Sequence, residues 1–132
     1  MKIALVDDKV YAYLSAEGRE LCGAERQQWL LARALASQGW SVTFGVANGL
    51  APGEEHRQNG VRFVGIGAGQ TLRKWHRFLA SEQPDWWYWR GAYHLWGPAV
   101  EIARLAGVRT IFAAAFDLDV HPRRALTLRP QW

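Results

Sequence analysis

One cysteine, Cys22, is all the chain contains, which excludes an internal disulfide and a thiolate metal cluster and fits a reducing compartment. No apolar run approaches the roughly 20 residues of a membrane-spanning helix, and the N-terminus carries no secretory signal pattern. Internal repeats and low-complexity tracts are missing as well. The charge balance is only mildly positive, a formal +4. Basic residues are scattered, with denser groups at Arg73, Lys74 and Arg77 and at Arg123, Arg124 and Arg129. Without a DNA- or RNA-binding motif beside them, such residues read as a solvated surface, so nucleic acid is not expected as a partner. These absences leave a cytoplasmic protein as the expectation. With 132 residues, 49% of them hydrophobic, the chain suffices for one core and reads as one domain over 1–132.

What is there is an alternation of apolar runs and helical patterns. An apolar strand over 2–7 ends in Asp7 and Asp8, and a helix over 23–38 follows a long loop. Ala24, Leu31, Ala32 and Leu35 form that helix's apolar stripe, Gln28 interrupts it, and Gly39 stops it. A second strand over 40–47 leads into a polar excursion, punctuated by Asn48-Gly49 and Pro52-Gly53, that runs through Gln58 to Gly60. The third strand is expected over 61–66 and the second helix over 71–82, with Leu72, Trp75 and Leu79 inward. A fourth strand covers 86–89 after Pro84-Asp85. Pro98 marks a first helical position and Gly107 a C-terminal cap, with Ala99, Ile102, Ala103 and Ala106 between them as an inner stripe. A fifth strand over 109–115 follows. This pattern predicts an α/β fold: a Rossmann-like, doubly wound parallel sheet of order 3-2-1-4-5. The basic segment from Pro122 to Trp132 starts another element without completing it, so the chain reads as truncated.

Several features bear on chemistry. Gly23 and Ala24 open the first helix, where free backbone N–H groups and the positive end of the helix dipole suit a phosphate. The alternative is that Gly23 supplies only an unusual backbone angle. Asp7-Asp8 would suit a magnesium-binding receiver domain. That fold also needs an aspartate ending the third strand and a lysine after the fifth, whereas the third strand here ends Gly65-Ile66-Gly67 and no lysine follows Lys74. The aspartates are therefore expected to end the strand, one of them bonding loop N–H groups. Gly65-Ile66-Gly67-Ala68-Gly69 lacks the spacing of a dinucleotide fingerprint and reads as a turn. Trp86, Trp87, Tyr88 and Trp89 are read as core of a central strand, with one tryptophan near its end left as a cleft candidate. Tyr11 and Tyr13, in the long loop over 9–22, either contact an acceptor or pack that loop. Arg90 is either an anion contact or an ion-pair partner of Asp117 or Asp119.

A resemblance joins these pieces. The segments are Met1-Lys2-Ile3-Ala4-Leu5-Val6, Gly23-Ala24-Glu25-Arg26, and Leu31-Ala32-Arg33-Ala34-Leu35-Ala36 leading into Gly39-Trp40-Ser41-Val42-Thr43. With them go Pro84-Asp85-Trp86-Trp87-Tyr88-Trp89-Arg90-Gly91 and Ala114-Ala115-Phe116-Asp117-Leu118-Asp119-Val120. In order and spacing they resemble the N-terminal domain of GT-B glycosyltransferases of the family 4 type. Relatives usually carry two glycines where this chain has Cys22-Gly23, and many place a histidine where Arg90 stands. The resemblance implies the acceptor-side half of a two-domain enzyme that transfers sugar from a nucleotide-sugar donor to a glycan or lipid-linked acceptor in polysaccharide synthesis. It implies a donor-phosphate loop at Gly23 and Ala24, and cleft residues among Tyr11, Tyr13, Arg90, Tyr93, His94, Asp117 and Asp119. No cofactor or metal is expected, the nucleotide-sugar being a substrate. The donor-binding C-terminal domain would be the missing partner, so this domain alone should transfer no sugar. Apolar surface around Trp132 and Leu126 to Leu128 should then favour self-association. Attachment of the whole enzyme to the inner face of the membrane fits the same reading. The competing expectation is a non-catalytic ligand-binding module that shares the fold.

Overall fold

A computed structural model describes residues 1–15, 23–68, 71–90 and 96–114. The expectations for Cys22, Tyr93, His94, Asp117, Asp119 and the 122–132 segment lie outside the described residues. Along the chain run β1 (Lys2–Val6), α1 (Val10–Ser15), α2 (Gly23–Ser37), β2 (Ser41–Val46), β3 (Glu55–Gln58), β4 (Val61–Gly65), α3 (Thr71–Glu82), β5 (Trp86–Arg90), α4 (Trp96–Leu105) and β6 (Arg109–Ala113). Among the described residues no helix is long and apolar enough to cross a membrane.

The six strands form one mostly parallel sheet in the order β3-β4-β2-β1-β5-β6. This differs from the expected all-parallel order of five strands, because β3 adds at the edge and pairs antiparallel with β4. Its residues, Glu-His-Arg-Gln, offer no apolar alternation, since an edge strand exposed on both faces needs none. The hairpin's sign lies instead in Asn59-Gly60, which joins Gln58 to Val61 with both φ angles positive, 51° and 78°. That is the two-residue turn whose twist matches paired strands. A second unexpected element is α1, a short helix inside the segment read as a loop.

The central strands β1 and β2 are covered on both faces, which is why they read as continuous apolar runs. Ile3 and Leu5 of β1 face Trp29 and Ala32 of α2 together with Phe44 and Phe63. Ala4 and Val6 face the opposite layer, where Trp75, Phe78 and Leu79 of α3 meet Ala99 and Ala103 of α4. Strand β5 obeys the same alternation. Trp87 and Trp89 are buried and stacked with ring centroids 5.7 Å apart, and Trp75 meets both edge-on at 5.4 and 5.2 Å. Trp87 and Trp89 thus pack in the core, as expected, while Trp86 and Tyr88 are half-buried on the other face. The expected stripe of α2 omitted Trp29, which is buried, whereas Leu31 and Leu35 are only half-buried.

Helices α2 and α4 end alike. Gly39 and Gly107 take φ near +83° and +73°, and the following residues, Trp40 and Val108, donate N–H bonds back to the Leu35 and Ala103 carbonyls. These are Schellman caps, with glycine where the left-handed backbone requires it. Two other glycines set distances between layers. The Phe78 ring lies 3.1 Å from where a β-carbon on Gly45 would stand, so α3 rests directly on β2. At Gly65 a β-carbon would collide with the Ala51 carbonyl oxygen, because the turn before β3 crosses the end of β4 in contact. That turn is held by N–H bonds from Gly53 to the Gly65 carbonyl and from Gly65 to the Glu54 carbonyl, 2.8 and 2.9 Å.

Backbone cannot yield as a flexible side chain does. Gly65→Ala should therefore destabilise the domain by about 2 kcal/mol or more, whereas Gly23→Ala, whose β-carbon meets open space, should be neutral or slightly stabilising. Urea unfolding of the two variants beside the parent measures the contrast.

Candidate functional site

In an open parallel sheet, ligands bind outside the carboxyl ends of the strands, where successive crossovers leave in opposite directions. Here that point lies between β1 and β5. From β1 the chain crosses to β2 through α2 on one face, and from β5 it crosses to β6 through α4 on the other.

Asp7 follows β1 and organises this end. Its Oδ1 accepts the N–H groups of Lys9 and Val10 at 2.9 and 3.0 Å, capping α1. Its Oδ2 accepts a 2.7 Å bond from the Gln28 side-chain amide of α2. The expectation that one aspartate bonds loop N–H groups holds for Asp7. Burial pushes the Asp7 carboxyl above its ordinary 3.8, the Lys9 N–H pulls it back, and the nearby Glu25 charge adds to the rise. Asp8 turns to the other face and pairs with Lys74 of α3 at 3.2 Å.

Gln28 is buried, and its Oε1 has no hydrogen-bond partner among the described residues. Sequence reasoning registered it only as a gap in an apolar stripe. A polar residue on a helix's inward face implies a buried partner, and that signal pointed here. Arg90 ends β5. The β1–β5 register, Leu5 opposite Tyr88, brings it to the same end of the sheet as Asp7. Alternation puts it on the Trp86 and Tyr88 side, which is the α2 side. It is half-buried, and its Nε is buried with no hydrogen-bond partner among the described residues. An ion pair with Asp117 or Asp119 concerns residues outside those described.

Gly23 and Ala24 open α2. Gly23 is exposed, its φ is not in the left-handed region, and a β-carbon there would meet nothing within 4 Å. The unusual-angle explanation for this glycine is therefore set aside. Tyr11 lies elsewhere, with its ring 5.2 Å from that of Phe63 and 5.5 Å from that of His56, packing α1 against the β3–β4 hairpin. Tyr13 is half-buried in the same short helix. The turn at Gly65-Ile66-Gly67 leads toward α3 with Gly67 at φ 75°. Among the described residues no group of three histidine, cysteine, aspartate or glutamate side chains is arranged to hold a metal.

The switch point thus gathers on one side of the sheet end an acceptor and a cationic donor without partners among the described residues, Gln28 Oε1 and Arg90 Nε, and the 15-residue helix α2. Such a set suits a ligand carrying both an anionic group and hydroxyls. Compared with known proteins, the chain matches no family model and no curated sequence.

The raised Asp7 carboxyl makes a measurable contribution. A group whose folded-state pKa is raised favours the fold while protonated, and that contribution disappears as pH rises through the raised value. Asp7→Asn keeps an oxygen for the Lys9 and Val10 N–H groups but does not titrate. Its stability relative to the parent should therefore increase from acid to neutral pH. Asp7→Ala should cost about 1 kcal/mol through the lost cap. Urea unfolding across a pH series reads both.

Proposed function

We propose that this domain is the acceptor-side half of a GT-B glycosyltransferase, acting with a donor-binding domain to transfer sugar from a nucleotide-sugar to a glycan or lipid-linked acceptor, in polysaccharide synthesis. The observation that carries the reading is the pairing of buried, unpartnered polar atoms with a helix N-terminus at the β1–β5 switch point. Glycosyl transfer joins an acceptor oxygen to the anomeric carbon while the nucleoside diphosphate departs. The barrier falls when cations and N–H groups meet the charge gathering on the departing phosphate. Arg90 and the free N–H groups at Gly23 and Ala24 are the groups of this chain suited to that task. Gln28 Oε1 suits an acceptor or sugar hydroxyl. Ordered family segments, from the opening strand to the arginine ending β5, support the same reading.

The test is turnover by the complete protein against a panel of nucleotide-sugars. One of them should be consumed. Gly23→Val should lower kcat/KM about tenfold or more with little change in melting temperature, because a β-carbon at this exposed position meets none of the described core. Arg90→Gln should lower turnover in the same assay. Ligand binding without turnover anywhere in the panel would instead favour a binding module, and unaltered kinetics in both variants would remove the switch point from the site.

A further inference from the structure

A second feature lies apart from the Asp7–Gln28–Arg90 cluster. Helix α3 rests on β2 through the Phe78–Gly45 contact and leaves the same-side face of β4 partly uncovered. The turn at Pro52-Gly53 closes the far side. Between them runs an open groove of about 470 Å³, floored by Val64, Ile66 and Phe78. Arg73, Lys74 and Arg77 line it along α3, and none of the described lining residues is acidic.

The three cations are not equivalent. Lys74 is largely covered, with 11% of its side chain exposed, and is already paired with Asp8. Other cations are also engaged: Arg62 bonds Glu55 and Glu82, Arg104 bonds Glu101, and Arg33 and Arg109 lie over the Trp29 and Trp86 rings. Arg73 and Arg77 are exposed, and neither has an ion-pair, hydrogen-bond or ring partner among the described residues. Four positions apart on one helix, they stand about one turn from each other on the same side. Two guanidinium forks at that spacing can grip neighbouring oxygens of one phosphate or of a diphosphate, each through two hydrogen bonds. The apolar floor strengthens these contacts by limiting water on one side. The Asp8–Lys74 pair anchors the helix, and with it the forks, to the end of β1.

We propose that this groove is a phosphate-binding site, taking a phosphate or diphosphate group between Arg73 and Arg77, separate from the switch-point cluster. The concave shape suits a discrete phosphate group, whether it belongs to a soluble molecule or to a lipid headgroup. The inference does not rest on glycosyl transfer, since its readout is binding to the groove in the absence of any sugar donor.

The first probe is inorganic pyrophosphate, titrated calorimetrically into the parent, Arg73→Gln/Arg77→Gln and the charge-matched control Arg33→Gln/Arg104→Gln. Both pairs are surface arginines, and melting curves verify that each variant folds. The parent should bind. The groove variant should lose about tenfold or more in affinity, and the control should bind as the parent does. The second probe is sedimentation with phosphatidylcholine vesicles with and without phosphatidic acid. Binding only with phosphatidic acid, lost in the groove variant alone, assigns the group to a lipid headgroup and supports the site. Pyrophosphate binding without vesicle binding assigns it to a soluble molecule. Absence of binding to both probes, equal binding by the groove variant, or an equal loss in the control overturns the proposal.

Discussion

The carboxylate of Asp7 is the interaction on which the carboxyl end of the sheet depends. It ends a buried strand, caps α1 with one oxygen and holds the buried amide of α2 with the other. Three elements from separate stretches of sequence are thereby tied to one side chain. Its removal from water is the cost of that position, as the upward displacement of its pKa records. The Gln28 amide points its nitrogen at Asp7, which leaves its Oε1 buried without a partner among the described residues. One structural choice at the end of β1 thus shapes both the loop and the free acceptor beside it.

The opposite layer depends on close approach. Gly45 lets Phe78 seat α3 on β2, and Gly65 lets the turn before β3 cross the end of β4. The tryptophan group behind them, Trp75 edge-on to the stacked Trp87 and Trp89, fixes α3 relative to β5. Because these contacts set how far α3 extends over the sheet, they also set the groove along its outer side. Side chains that pack the core therefore decide where Arg73 and Arg77 stand, although neither arginine takes part in that packing.

Much of the fold was legible. The central strands β1 and β2 announced themselves as apolar runs because both their faces are covered, and Gly39 and Gly107 marked helix ends because the left-handed cap position requires glycine. The boundaries of α3 follow directly from its apolar stripe and the Pro84 that succeeds it. Strand β3 escaped notice because an exposed edge strand carries no apolar code, and only Asn59-Gly60 betrayed it. At the candidate site, the positions of Gly23 and Arg90 at element ends were legible. Gln28 was visible only as a defect in a pattern, and Tyr11 was not separable into packing or binding until its ring contacts with Phe63 and His56 were known.

The division follows from the range of the forces involved. Sequence alone determined which segments become strands and helices and where several of them stop, because periodicity, caps and turns act over a few residues. It also determined that Asp7 and Asp8 stand at the end of the first strand. Tertiary structure decided what those residues do. Asp7 bonds Gln28 of α2 and Asp8 pairs with Lys74 of α3, helices that cover opposite faces of the sheet. Whether the Phe78 ring could reach Gly45, and whether the guanidinium groups of Arg73 and Arg77 were left without carboxylates, depended on elements brought together from distant parts of the chain. Local pattern carries no record of such distances.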